Sequence, residues 1–110
     1  MYFFLDEFQC PCCQTVKLHP DLLTGLNRLR LRLNRPIYIS SGFRCPEENK
    51  RVGGVPGSYH KFGMAVDIKV LSVSPESLAV YAQSVGFNGI GTYTNFIHID
   101  IRSEKYYWKG

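Results

Sequence analysis

The chain has 110 residues, 45% of them hydrophobic and 20% charged, which suits one domain with a small core. No apolar run approaches the roughly 18 residues that a membrane-spanning helix needs. With 13 Lys and Arg against 9 Asp and Glu, the net charge is +4, a balance that suits an anionic polymer as partner.

The N-terminal stretch Met1-Tyr2-Phe3-Phe4-Leu5-Asp6-Glu7-Phe8 lacks a basic start and meets acids early, so it does not read as a signal peptide. Residues 3–8 form an apolar lead segment expected to pack on the core. Residues 10–16 read as a Cys-rich loop. His19-Pro20-Asp21 opens a helix expected to run to about Asn34. Pro20 suits its first turn and Asp21 its positive end. Leu22, Leu23, Leu26, Leu29 and Leu33 recur at helical spacing and mark a buried stripe. Arg28, Arg30, Arg32 and Arg35 form the densest cationic run. They read as the helix's solvated face; nucleic-acid binding would need clustered bases in an aromatic or motif context.

Pro36 ends that helix, and residues 37–41 form a β-branched strand. Residues 42–57 read as a long loop carrying Arg44, with tight turns at Gly53-Gly54 and Pro56-Gly57. Residues 64–70 (MAVDIKV) read as a strand entered from a turn at Phe62-Gly63. Ser74-Pro75-Glu76 caps a second helix through about Val85, packed through Leu78, Val80 and Tyr81 and ended by Gly86. Residues 89–93 and 95–101 read as a hairpin. The aromatic tail Tyr106-Tyr107-Trp108 is expected to lie across the core or a cleft edge. The fold class that follows is α+β.

Four cysteines pose a separate question. Cys10-x-x-Cys13 has the spacing of a metal knuckle. Cys12 lies between them, and Cys45 comes alone. Three readings stay open: a structural zinc drawing on Cys10, Cys13, Cys45 or His19, a disulfide from the N-terminal cluster to Cys45, or free buried thiols. His19, beside Pro20, suits the start of the helix.

His60, Asp67 and His98 carry the chemistry. Two imidazoles and a carboxylate are what an open catalytic zinc site needs, with a fourth position left over. Side chains two apart on a strand share a face, so His98 and Asp100 point the same way while Ile97, Ile99 and Ile101 pack behind. Asp67 shares its face with Ala65 and Lys69, between the apolar Val66 and Ile68. A buried carboxylate in such a run needs a metal or a cation beside it. If the two strands pair, Asp67 and His98 face one cleft, and His60 folds over from the preceding loop.

The pattern Ser58-x-His60-x-x-Gly63-x-Ala65-x-Asp67, followed by His98-x-Asp100, resembles the zinc D,D-peptidases of the M15 family. Ser41-Gly42-Phe43-Arg44-Cys45-Pro46, Asn49, Val52-Gly53-Gly54-Val55-Pro56 and Gly89-Ile90-Gly91-Thr92-Tyr93 also fit, so the likeness spans nearly the whole chain. It implies a hedgehog/DD-peptidase-like fold, helices packed on an antiparallel sheet. It implies His60, Asp67 and His98 as zinc ligands, and Arg44 holding a terminal carboxylate or polarising the scissile carbonyl. Ser58 would bind substrate or cap its loop. Tyr93 would donate to the oxyanion. Better-known members place a carboxylate shortly before the last histidine. Residues 92–97 hold none, which leaves Asp100 as base or as a partner orienting a ligand.

The expected activity is hydrolysis, by a monomer, of peptidoglycan peptide bonds involving D-alanine, as carboxypeptidase or endopeptidase. It would act at the cell wall or periplasm, reached by phage-type release or lysis. Two competitors remain: a non-catalytic zinc-containing wall-binding module, and a hedgehog-like signalling domain.

Overall fold

The computed structural model describes residues 2–110; Met1, the first residue of the N-terminal stretch read above, lies outside them. Three helices, α1 (Pro20–Leu33), α2 (Pro46–Arg51) and α3 (Pro75–Ser84), accompany five strands. The strands are β1 (Tyr38–Ser41), β2 (Ala65–Lys69), β3 (Gly89–Thr92), β4 (Ile97–Asp100) and β5 (Tyr106–Lys109). They form one sheet in the order β1-β2-β4-β3-β5. The chain is α+β, as expected.

Local chemistry sets the helix ends. His19 caps α1 by accepting from the Asp21 N–H at 3.1 Å, and Pro20 supplies a first-turn residue that needs no N–H partner. Asn34 closes α1 in the left-handed conformation, with φ 52°. Ser74 caps α3 through the Ser77 N–H, and Gly86, at φ 99°, ends its run.

The core lies on one face of the sheet. Leu22, Leu26 and Leu29 of α1 and Leu78 and Ala82 of α3 are buried against Val66, Ile68, Ile90, Ile97 and Ile99. Phe3 and Phe8 join them, so the lead segment packs as expected. The period of two along a strand then sends Asp67, His98 and Asp100 to the opposite face. Arg28 and Arg32 are exposed along α1 and Arg35 just beyond it, while Arg30 is half-buried with its guanidinium 4.9 Å from the Tyr2 ring centre. Among the described residues no helix is long and apolar enough to cross a membrane.

Four expectations need correction. Val80 and Tyr81 are exposed, and α3 packs through Leu78 and Ala82 instead. Residues 42–57 are not one long loop, because Pro46–Arg51 forms α2. Its start has Pro in the first turn with Glu47 and Glu48, and Lys50 and Arg51 lie at its end, which complements the helix dipole. Its length, under two turns, leaves no periodic stripe to read. His60 sits not in open loop but in a short 3-10 turn, Tyr59–Phe62. The sheet is mixed: the aromatic tail forms β5, which pairs parallel with β3 at the edge, while the other pairings are antiparallel.

Candidate metal centre

Strand register builds the site. Asp67 of β2 lies directly opposite His98 of β4, and Gly91 of β3 lies opposite His98 on its other side. β1 carries an irregularity between Ile39 and Ser41 that brings Ser41 beside Asp67. Bulges of this kind re-aim side chains near functional sites. Ser58 caps the turn before β2 by accepting from the His60 N–H at 3.3 Å. That leaves the Ser58 hydroxyl in a structural contact at the margin of the cleft.

Three donors converge. His60 Nε2 lies 3.2 Å and His98 Nδ1 3.3 Å from the same oxygen, Asp67 Oδ1. Zinc bonds to nitrogen and oxygen of about 2.0–2.1 Å put tetrahedral ligand atoms roughly 3.3–3.4 Å apart. The spacings match.

Each donor is also held from behind. His60 Nδ1 donates to the Gly42 carbonyl at 2.8 Å, which leaves Nε2 with a lone pair turned to the cleft. His98 Nε2 bonds Asp100 Oδ2 at 2.7 Å, which leaves Nδ1 for the centre. Arg44 Nη2 donates to Asp67 Oδ2 at 3.2 Å, so only Oδ1 faces the imidazoles. A carboxylate or carbonyl behind each imidazole is the usual way of fixing a metal-binding tautomer. The residues present therefore fit a tetrahedral, open metal site.

Arg44 is engaged on three sides. Its Nε donates to Ser41 Oγ at 3.1 Å, and its Nη1 lies 3.5 Å from Asn49 Oδ1. Asp100 is fully buried. It receives Arg102 through Nε at 2.8 Å and Nη2 at 2.7 Å, and the Arg102 N–H at 3.1 Å. With His98 added, its acceptor positions are taken. Arg102 itself stacks on Tyr59, Tyr106 and Trp108, with its guanidinium carbon 4.8 Å, 5.3 Å and 5.3 Å from the ring centres.

Trp108 is the cleft-edge element of the tail. Its Nε1 donates to the Tyr93 hydroxyl at 3.0 Å, and its ring lies 5.1 Å from that of His98. Tyr93 also stacks on Phe96 at 4.6 Å. Tyr93 can accept from Trp108 and still donate its own O–H into the cleft. The cleft has a volume of about 530 Å³ and is lined by Arg44, His60, Asp67, Tyr93, His98 and Arg102, among others.

Two glycines make room for this arrangement. A Cβ on Gly89 would collide with the Asp100 carboxylate, and one on Gly91 with the Trp108 indole. Gly91→Ala is expected to push Trp108 off His98, costing about 1–3 kcal/mol of stability, the usual toll of overpacking. A melting curve and the tryptophan fluorescence maximum check it; an unchanged spectrum and melting temperature would contradict it.

Electrostatics follow from the contacts. Burial alone would raise the Asp67 pKa, but hydrogen bonds and charge from His60 and His98 hold it well below the usual carboxylate range. Burial likewise works against Asp100, and Arg102 and His98 outweigh it, so that group too is held low. His98 is pushed up: burial opposes its charge, but Asp100 and Asp67 more than compensate. The depressed carboxylates stabilise the metal-free fold above their unfolded pKa values, roughly 4, and that stability is lost as pH falls through the folded values. The raised His98 adds stability that is full below about 6.5 and lost as pH climbs through its folded value. Chelated protein is therefore expected to melt lower at pH 3 than at pH 5–6, and His98 is expected to remove stability as pH climbs above about 6.5. Thermal melts in EDTA of wild type and His98→Gln test it; identical pH dependence of the two above pH 6 would contradict the His98 part.

Known proteins resemble this chain. A family model described as Peptidase M15 matches residues 1–100. The chain is 30% identical over 92 residues to the peptidoglycan L,D-endopeptidase MepK of Escherichia coli K12, covering 76% of this chain and 50% of that protein. It is 29% identical over 107 residues to the probable peptidoglycan L,D-endopeptidase MepK of Haemophilus influenzae, covering 88% of this chain and 57% of that protein. The chain thus spans about half the length of the curated relatives it matches. An α+β domain with a His/Asp/His cluster in an open cleft is the class that fold and site define. The chain belongs to the peptidase M15 family.

Sequence reading did not find Arg102, and it placed Trp108 no closer than a cleft edge. Arg102 follows Asp100 by two positions, the same-face spacing of a strand, and that signal was available. The β5–β3 parallel pairing that seats Trp108 has no such local mark.

Proposed function

We propose that this chain is a zinc-dependent endopeptidase acting on peptidoglycan peptides at the cell wall. The observation that carries the reading is the convergence of His60 Nε2 and His98 Nδ1 on Asp67 Oδ1 at zinc-ligand spacings. Zinc, when bound there, supplies Lewis-acid polarisation of the scissile carbonyl and lowers the pKa of its water to about 7.

The chain's own residues do the rest. His60, Asp67 and His98 hold the metal. Gly42, Arg44 and Asp100 fix the orientation of those ligands. Arg44 also brings positive charge to the cleft wall, where an oxyanion develops. Tyr93, oriented by Trp108, donates its hydroxyl to the same oxyanion. We assign Asp100 to orienting His98 rather than to proton abstraction, because Arg102 and His98 occupy its oxygens and hold it strongly acidic. Asp67 is the one carboxylate among the described residues lining the cleft, so no carboxylate base is assigned.

Endopeptidase is favoured over carboxypeptidase by Arg44. A carboxypeptidase needs a cation available for the substrate's terminal carboxylate, and Arg44 is bound to Asp67, Ser41 and Asn49. The favoured bond joins an L- to a D-centre, on the strength of the relatives' names. Bonds involving D-alanine, to which the sequence pattern points, are the other substrate class. Mass spectrometry of defined cross-linked dimers and uncross-linked stems separates them. The expected result is dimers split at an L–D bond with one new amine each. Release of terminal D-alanine from intact dimers would sink the endopeptidase reading.

A further inference from the structure

The cysteines lie outside the cleft, and the proposed chemistry uses none of them. Residues 10–14 turn tightly after the lead segment: the Gln14 N–H donates to the Cys10 carbonyl at 2.8 Å, and the Cys10 N–H to the Thr15 carbonyl at 2.9 Å. The turn presents Cys10 and Cys13 to Cys45, the cap of α2. Cys10 and Cys45 are buried, with their sulfurs 3.6 Å apart and not bonded. The Cys13 sulfur completes a group whose members all lie within 4.8 Å of one another.

These spacings have a meaning. Tetrahedral zinc with bonds to sulfur of about 2.3 Å holds its sulfurs roughly 3.8 Å apart. The sulfurs also collect backbone donors. The Cys45 N–H points at Cys10 Sγ at 3.4 Å and the Glu48 N–H at Cys45 Sγ at 3.5 Å. A neutral thiol is a weak acceptor, and an array of N–H donors suits the thiolate form that binds metal. Lys17 stands nearby, its Nζ over the Phe43 ring at 5.5 Å. Apolar packing here is thin, for the local cluster is only Cys10, Phe43 and Cys45.

We propose that Cys10, Cys13 and Cys45 form a structural zinc site that clamps the N-terminal segment to the strip bearing Arg44. A donor set of three sulfurs, two of them on buried residues, selects zinc among common divalent ions. Binding releases the thiol protons to solvent. The clamp has a direct line to the cleft: Cys45 follows Arg44, and Gly42, two residues earlier, supplies the carbonyl that fixes His60. The disulfide and free-thiol readings of these cysteines are thereby the competitors.

The test is independent of the cleft, whose donors are nitrogen and oxygen. Full-length wild type is purified under reducing conditions, and its metal is exchanged for Co(II). Intense near-ultraviolet sulfur-to-cobalt charge-transfer absorption is expected, together with thiols that react with a disulfide reagent only after EDTA. A His60→Ala/His98→Ala variant is expected to keep one zinc per chain, and Cys45→Ser to lose the charge-transfer band. If Cys45→Ser fails to fold, the wild-type cobalt spectrum still decides. No charge-transfer band with freely reactive thiols would overturn the proposal, as would a Cys10–Cys45 disulfide in the intact mass.

Discussion

Asp67→Asn is expected to lower kcat/KM on peptidoglycan by at least about 10³-fold while the protein stays folded. The amide keeps the volume and the contact with Arg44 but removes the charge that both imidazoles face. Groups one bond further from a metal cost 10–100-fold when changed, and a ligand itself should cost more. Circular dichroism should show the fold intact, and zinc titration should show weakened binding in the cleft. Activity within tenfold of wild type would contradict the assignment of Asp67 as a ligand.

Asp100→Ala should hurt both stability and function. The carboxylate is fully buried and joins Arg102 to His98. Its removal leaves Arg102 partly buried and unpaired and frees the His98 ring. Breaking a buried pair by removing one partner costs about 3 kcal/mol or more. In a domain of this size that lowers the melting temperature by roughly 10–15 °C. Loss of the partner behind a ligating histidine should weaken zinc binding about 10–100-fold. A base-only role for Asp100 predicts otherwise: lost turnover with zinc affinity and melting temperature unchanged. Calorimetry and zinc titration of the one variant therefore separate the two roles.

Much of this site was legible in the residues. The spacing of His60 and Asp67, with His98-x-Asp100, fixed which side chains share a face once the strands were placed, because a strand's period of two admits one alternative only. The Asp67–His98 pairing then followed from β2 meeting β4. The ends of α1 were legible in His19 and Pro20 at its start and in Pro36 beyond its close. What stayed hidden depends on contacts distant in sequence or on elements too short to show a period. Helix α2 spans under two turns, so its Pro46-Glu47-Glu48 start was read as loop. The tail's aromatics pointed to the core or a cleft edge but not to a parallel pairing with β3, and so not to the seat of Trp108 beside His98. Arg44 looked like a hand for substrate; its position shows a brace on Asp67 as well. Asp100 looked like the nearest available acid, yet Arg102 had no partner assigned to it in the sequence, and that pairing changes what Asp100 can do.

The central claim is that His60, Asp67 and His98 hold a zinc that cuts peptidoglycan. The most direct measurement is release of new amino groups from purified peptidoglycan by wild type, His60→Ala and chelated wild type, with zinc per chain counted in each. The account predicts release by wild type alone, restored to the chelated sample by added zinc. No release by wild type shown to carry zinc at the His60 centre would contradict it, and would move the assignment to a module that binds the cell wall without cutting it.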